Sequence, residues 1–492
     1  MAIKLQRPIL VGGIGLSLLL WLLDSVQNSV AEFGGTTMLG IMAASLGVWL
    51  LKRPKSLLPQ KTTIIPSPTK EVAEQAIASL NTTIDKLILE VEGINKSEKI
   101  SNDINQLCQQ VTTLTKELER KELSIVITGN QGVGKTALIE ILKSEWISRN
   151  SQKIEVTDLT WQSEWITKNE VPINPLSSYD LILFLTTGDL IDSEFQALSK
   201  LTTFGQRFIL IWNKQDLYLP GQKPQIFQKI KETLSTINSE ENLVGISAKP
   251  NSIKVRKYQQ DGSIQESTEP QLPEISELTV KLNQILAEEK EKLVWATTIR
   301  KAEIVRLEAK NILNQIRRER AIPVIEQYQW IAAATAFANP VPTLDLLATA
   351  AINTQLIVDL STIYEQKFSL EKGKQVAGTM AELMFKLGLV ELSTKTLSTI
   401  LKSNSVTFVA GGAIQAVSAA YLTRVAGVSL VEYFATQTDT NSVNIEKLGN
   451  IIQSVFSKTQ ENNFLKSFVN QVISHVLPQE KKLEVVSVPV EQ

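Results

Sequence analysis

Gly129-Asn130-Gln131-Gly132-Val133-Gly134-Lys135-Thr136 carries the spacing Gly-x-x-x-x-Gly-Lys-[Ser/Thr]. Each residue type suits a phosphate. Glycine lets backbone N–H groups approach an anion closely, lysine reaches the β- and γ-phosphates, and a threonine hydroxyl is a Mg²⁺ ligand. Residues 123–128 (LSIVIT) read as a buried strand entering the glycines, and residues 137–142 continue as a helix. In that context the N–H groups of Gly132, Val133 and Gly134 converge on the β-phosphate, where the helix N-terminus favours negative charge. Lys135 is then both a binding and a catalytic candidate, and Thr136 a metal ligand.

Two further motifs follow in order, Asn213-Lys214-Gln215-Asp216 and Ser247-Ala248-Lys249. The first ends the apolar run 208–212 (FILIW), so its side chains emerge at a strand's C-terminal end, the edge where open α/β sheets bind ligands. A carboxylate there accepts from guanine N1–H and the 2-amino group together, a donor pair adenine lacks. Asp216 is therefore the expected base selector and Lys214 the residue whose stem covers the ring. Ala248 is expected to donate its N–H to guanine O6, with Ser247 and Lys249 beside it. Asn-Lys-x-Asp alone is a weak match; order and strand context strengthen it. The expected ligands are GTP or GDP with Mg²⁺.

These residues resemble the translation-factor-related GTPases, and within them the Era and TrmE-like branch. Residues 179–201 (YDLILFLTTGDLIDSEFQALSKL), the apolar C-terminal third and the string Asn339-Pro-Val-Pro-Thr-Leu-Asp345 are similar to bacterial membrane-associated GTPases with a YcjF-like helical domain. The resemblance spans roughly 120–290 and 320–436, and implies a Ras-like G domain followed by helices. It leaves the biological role open.

The chain also departs from that pattern. Only 21 residues separate Thr136 from Asp158, the one plausible acid on the Mg²⁺ side. Small GTPases use about twice as many for a helix, switch I and a further strand. Asp158, expected at the end of a strand over 153–157, begins Asp158-Leu159-Thr160-Trp161, where the family has Asp-x-x-Gly. Thr157 is a poor substitute for the switch I threonine, and Thr160 is out of order. Tryptophan in place of the γ-phosphate-sensing glycine changes how the loop can swing. Gln162 stands where a water-orienting glutamine belongs, and reads either as catalytic or as a polar loop residue.

A chain of 492 residues with net charge −1, from 50 basic and 51 acidic residues, is too long for one core and carries no global field for nucleic acid. There is no basic, aromatic-interleaved module, so nucleic acid is not an expected partner. A single cysteine, Cys108, excludes an intrachain disulfide framework, and a single histidine, His475, excludes a His-based metal site.

The expected order begins with a transmembrane hairpin over 1–55. Residues 8–23 and 34–51 are charge-free runs of 16 and 18, and the flanking Lys4, Arg7, Lys52, Arg53 and Lys55 put both ends in the cytoplasm. That makes a multi-pass membrane protein with its GTP-binding domain on the cytoplasmic side. A signal peptide cut after Ser29-Val30-Ala31 is the competing reading. A proline-rich linker (56–70) leads to a helical hairpin (71–120) with an apolar 3,4 seam, which serves either as an intramolecular stalk or in self-association. The GTP-binding domain (121–290) contains a polar insertion, 253–267, with an Asp261-Gly262 turn. A charged connecting helix (291–320) precedes an apolar helical domain (321–436), where residues 332–352 suggest two short helices around a proline turn. That domain reads as a buried or membrane-apposed bundle, with extra spans as the alternative. Amphipathic helices and a loose tail fill 437–492.

The fold class expected is thus an α/β P-loop NTPase with an abbreviated switch I region, an all-α C-terminal domain and an N-terminal transmembrane hairpin. Two functions remain: a membrane-anchored GTPase coupling nucleotide state to its helical domain, or a nucleotide-binding membrane scaffold with little turnover. A transporter is the weakest reading, since no polar path through confident spans is visible.

Overall fold

The computed structural model describes residues 67–92, 98–150, 153–162, 175–237, 239–258, 264–338, 342–402, 413–437 and 443–476. The transmembrane hairpin, the signal-peptide alternative, most of the linker, the Asp261-Gly262 turn, the Asn339-Pro340 pair and the last 16 residues lie outside them. The described residues fall into two compact units, one running to Leu313 and the other starting at Asn314.

The first unit is built on five parallel strands: β1 (Leu123–Gly129), β2 (Ile154–Thr160), β3 (Leu181–Thr186), β4 (Phe208–Trp212) and β5 (Leu243–Gly245), in the order β2-β1-β3-β4-β5. Strands β1, β3 and β4 are near-continuous apolar runs because both sheet faces are covered. Side-chain alternation sorts them cleanly. Ile125, Ile127, Leu183, Leu185, Ile209 and Ile211 face one layer, with Leu138, Leu142 and Trp146 from the helix after the glycines and Leu278, Leu282 and Ile285 from a helix at Ser276–Glu288. Val126, Ile182, Phe184, Leu210 and Trp212 face the other, with Leu198 and Leu201 of helix Asp192–Thr203 and Ile230 and Leu234 of helix Lys223–Ser235. Strand order reverses at β1, so a crevice opens beyond its C-terminal end. At the opposite end, fully buried Asp180 accepts from Ser124 N–H at 2.7 Å and Arg120 Nη2 at 2.9 Å.

The helical hairpin consists of Lys70–Glu92 and Glu98–Glu117. Ala73, Ile77, Leu80, Ile84, Leu87 and Val91 of the first helix are buried at alternating steps of four and three. Glu117 of the second is held by Lys301 Nζ at 2.8 and 3.0 Å. The insertion after the third motif is an antiparallel ribbon, Ile253–Tyr258 with Ile264–Glu269.

The charged helix differs from expectation at its C-terminal end. Separated by Glu289 from helix Ser276–Glu288, it spans Lys290–Ala338 and runs on past Arg320 and through Pro323. Ala321 and Ile325 flank the proline, both fully buried, so packing on either side outweighs the missing hydrogen bond. The two short helices expected at 332–352 are instead the end of this helix and the start of Pro342–Ile363.

The second unit is a helical bundle of Pro342–Ile363, Leu370–Lys386, Leu389–Lys402, Ala413–Thr436, Ile445–Thr459 and Asn462–Val476 with residues 314–338. Ala413–Thr436 is the one described helix long and apolar enough to cross a membrane, and 67% of its most apolar window is buried within the protein. A half-buried polar cluster sits on the bundle. Tyr328 donates to Asp359 Oδ2 at 2.6 Å and Gln355 donates to Oδ1 at 3.0 Å, and burial pushes the Tyr328 hydroxyl pKa up. His475 stacks on Trp330 at 4.2 Å.

Candidate functional site

The loop after β1 has the backbone its glycines allow. Gly129, Gly132 and Gly134 have φ of 146°, 80° and 99°, a region that L side chains rarely adopt. A Cβ on Gly134 would also collide with the Asn213 amide. Helix Lys135–Ile141 starts directly afterwards and widens into a π-turn at Leu142–Trp146. Lys135 is 9% exposed, with its ammonium on the carbonyls of Gly129 and Asn130 at 3.1 and 3.0 Å.

Asn213, 2% exposed at the end of β4, joins the two ends of the site. Its Nδ2 donates to the Val133 carbonyl at 2.8 Å, and its Oδ1 accepts from the Ala248 N–H at 3.0 Å. Lys214 takes φ of 64° and turns the chain so that Asp216 faces the cleft. Ser247 Oγ accepts from Asp216 N–H at 3.2 Å, and Asn251 N–H donates to Asp216 Oδ2 at 3.0 Å. Asp216 Oδ1 is buried without a hydrogen-bond partner among the described residues.

Between these parts lies a cleft of about 550 Å³, of nucleotide size. Gln131, Gly132, Gly134, Lys135 and Thr136 line one end, Asp158 and Thr160 one side, and Lys214, Asp216 and Lys249 the other end. Thr136 and Asp158 are both exposed there, two hard oxygen donors suited to Mg²⁺. Gly129, Asn130, Val133, Asn213, Ser247 and Ala248 support the walls from behind.

Three expectations change. Asp158 lies within β2, which continues to Thr160, because β1 pairs with it as far as Gly129 and the Trp161 N–H then donates to the Gly129 carbonyl at 3.2 Å. The Ala248 N–H assigned to guanine O6 is held by Asn213. Gln162 is exposed and is not among the residues lining the cleft, which reach Thr160. Trp161 is buried against Phe184, with ring centroids 5.6 Å apart, so the loop's swing is limited by an aromatic anchor. Between the helix after the glycines and β2 there is room for only a few residues, and β2 is a sheet edge.

Sequence reasoning missed Ala137, Leu217 and Asn251 as lining residues. It also missed Glu194, whose Oε1 accepts from Asn130 Nδ2 at 2.5 Å. The acidic first turn of helix Asp192–Thr203 was legible, but its apposition to the glycine loop depends on the sheet order.

Fold and site define a P-loop NTPase domain followed by a helical C-terminal region. Residues 97–296 match the KAP family P-loop domain, and residues 300–461 match a domain of unknown function, DUF697. No curated protein matches the chain. Two solved structures, both described as an oligomerised bacterial dynamin pair providing a mechanism for long-range sensing and tethering of membranes, are similar at low level. One is 11% identical, covering 83% of this chain and 74% of its own, with a TM-score of 0.25. The other is 14% identical, covering 83% and 79%, with a TM-score of 0.22. Values that low define no common fold.

Proposed function

We propose that the protein is a membrane-anchored guanine-nucleotide-binding protein that hydrolyses GTP to GDP slowly and couples nucleotide state to its helical C-terminal region. The observation that carries the reading is Asp216. Its carboxylate lines the end of the cleft opposite the glycine loop and keeps one buried oxygen without a partner, as a group awaiting a paired N–H donor would. The motif resemblance to Era and TrmE-like GTPases supports the same base. The apolar runs at 8–23 and 34–51 support the anchor.

In this reading the loop amides and Lys135 bind the β- and γ-phosphates, and Lys135 leaves its two carbonyls to do so. Mg²⁺ held by Thr136 and Asp158 would supply charge neutralisation at the phosphate oxygens. Water attacks the γ-phosphorus in line, the bond to the β–γ bridging oxygen breaks, and GDP and phosphate leave. Turnover is slow because Gln162 does not line the cleft and Trp161, in place of a glycine, is anchored on Phe184. The same two observations favour a second reading, a nucleotide-binding membrane scaffold without turnover.

Phosphate release from GTP by the full chain in liposomes, compared with Lys135→Ala, separates the two. Release that the variant abolishes supports the enzyme; tight GTP binding without such release leaves the scaffold. Liposome flotation of the chain lacking residues 1–55 tests the anchor, which fails if the truncated protein floats as well as the whole one.

A further inference from the structure

Glu194 is a costly residue that the nucleotide reading leaves unused. It is the third residue of helix Asp192–Thr203 and 2% exposed, and it lines no part of the cleft. Its Oε2 accepts from the Ile191 N–H at 3.2 Å, the usual role of an acid in a first helical turn. An exposed glutamate or glutamine would serve that cap equally well. Burial makes sense only through the other oxygen, because a buried carboxylate persists where hydrogen-bond donors converge on it.

That second donor is Asn130, the second residue of the phosphate loop. Its Nδ2 reaches Glu194 Oε1 at 2.5 Å, while its backbone carbonyl accepts from Lys135 Nζ at 3.0 Å. Among the described residues this is the side-chain hydrogen bond that brings helix Asp192–Thr203, 64 residues further on, to bear on the loop's first turn. The path therefore runs from a rigid helix cap to the Asn130 side chain, to the Asn130 carbonyl, to the lysine that meets the phosphates.

We infer that Glu194 is a positioning residue for nucleotide binding, fixing through Asn130 the first turn of the phosphate loop and the carbonyls that hold Lys135 ready. The inference rests on the proposal that this cleft binds a nucleotide. It predicts a definite rank among variants. Glu194→Gln keeps an acceptor for Ile191 N–H and offers its amide to Asn130 Oδ1 once the asparagine amide turns over, so the link survives. Glu194→Ala removes both bonds, and Asn130→Ala removes the shared one.

The test uses the full chain and measures affinity and release of Mg²⁺-GDP and of a non-hydrolysable GTP analogue. Thermal unfolding without nucleotide is followed in parallel. Glu194→Ala and Asn130→Ala should each weaken binding about tenfold, mainly through faster release. Glu194→Gln should stay within about threefold of the unaltered protein, and the double Asn130→Ala, Glu194→Ala variant should bind no worse than either single one. Lowered unfolding temperature with unchanged binding, or losses that multiply in the double variant, overturns the inference. If Glu194→Ala does not fold, Asn130→Ala combined with Glu194→Gln closes the cycle instead. Failure of the unaltered protein to bind either ligand sinks the nucleotide reading and this inference with it, whereas normal binding by Glu194→Ala sinks this inference alone.

Discussion

Asn213→Ala is the substitution that should do most damage for its size. The side chain is 2% exposed and makes two hydrogen bonds, to the Val133 carbonyl at 2.8 Å and from the Ala248 N–H at 3.0 Å. Alanine leaves both partners unsatisfied in buried surroundings, where each costs about 1–3 kcal/mol. The total is thus about 2–6 kcal/mol, divided between folding stability and the preorganisation of the two loops that flank the nucleotide. A share of about 2 kcal/mol in binding corresponds to a loss of roughly 30-fold in affinity. Asn213→Asp separates the two arms: its carboxylate still accepts from Ala248 but repels the Val133 carbonyl, so it should also weaken binding. Titration with a fluorescent GDP analogue, with denaturant unfolding alongside, reads both quantities. Affinity within threefold of the unaltered protein, together with unchanged stability, would refute the bridging role.

Two other perturbations test separate parts of the account. Arg120→Ala leaves the buried Asp180 carboxylate with the Ser124 N–H and with Arg300 as its remaining neighbouring cation, and should lower unfolding free energy by about 2 kcal/mol, the loss of one charged hydrogen bond, without changing which nucleotide binds; a change below about 0.5 kcal/mol would show the pair to be dispensable. Burial raises the Glu194 carboxyl above the usual carboxylate range, against the lowering effect of its two donors. A carboxyl raised on folding weighs against the folded state at pH above its folded value and ceases to do so as pH falls through it. Glu194→Gln should therefore unfold at a higher temperature than the unaltered protein at pH 8, with the gap closing on acidification toward pH 5; a gap that widens would contradict that assignment.

The nucleotide end of the protein was legible because its determinants are local. A strand entering three glycines, a lysine and a threonine fixes loop and helix start within one short stretch, and FILIW before Asn213 does the same for the strand end at the other side of the cleft. The parity of buried residues in β1, β3 and β4 was also present in the apolar runs. What escaped depends on neighbours distant in sequence. Asp158 was assigned to a strand end because Thr157 looked like the last β residue, yet pairing with β1 carries the strand to Thr160. Asn213 draws the Ala248 N–H away from the cleft through a contact spanning 35 residues. The connecting helix was expected to stop at Arg320, and burial of Ala321 and Ile325 carries it on through Pro323. Glu194 drew no attention in the sequence, because its contact with Asn130 depends on strand order.

Base selectivity tests the central claim most directly. Competition of GDP, GTP, ADP and ATP for the site, measured on the unaltered protein and on Asp216→Ala, should give strong preference for GDP and GTP that collapses in the variant. Preference for adenine nucleotides, or guanine preference that survives the loss of Asp216, would contradict it.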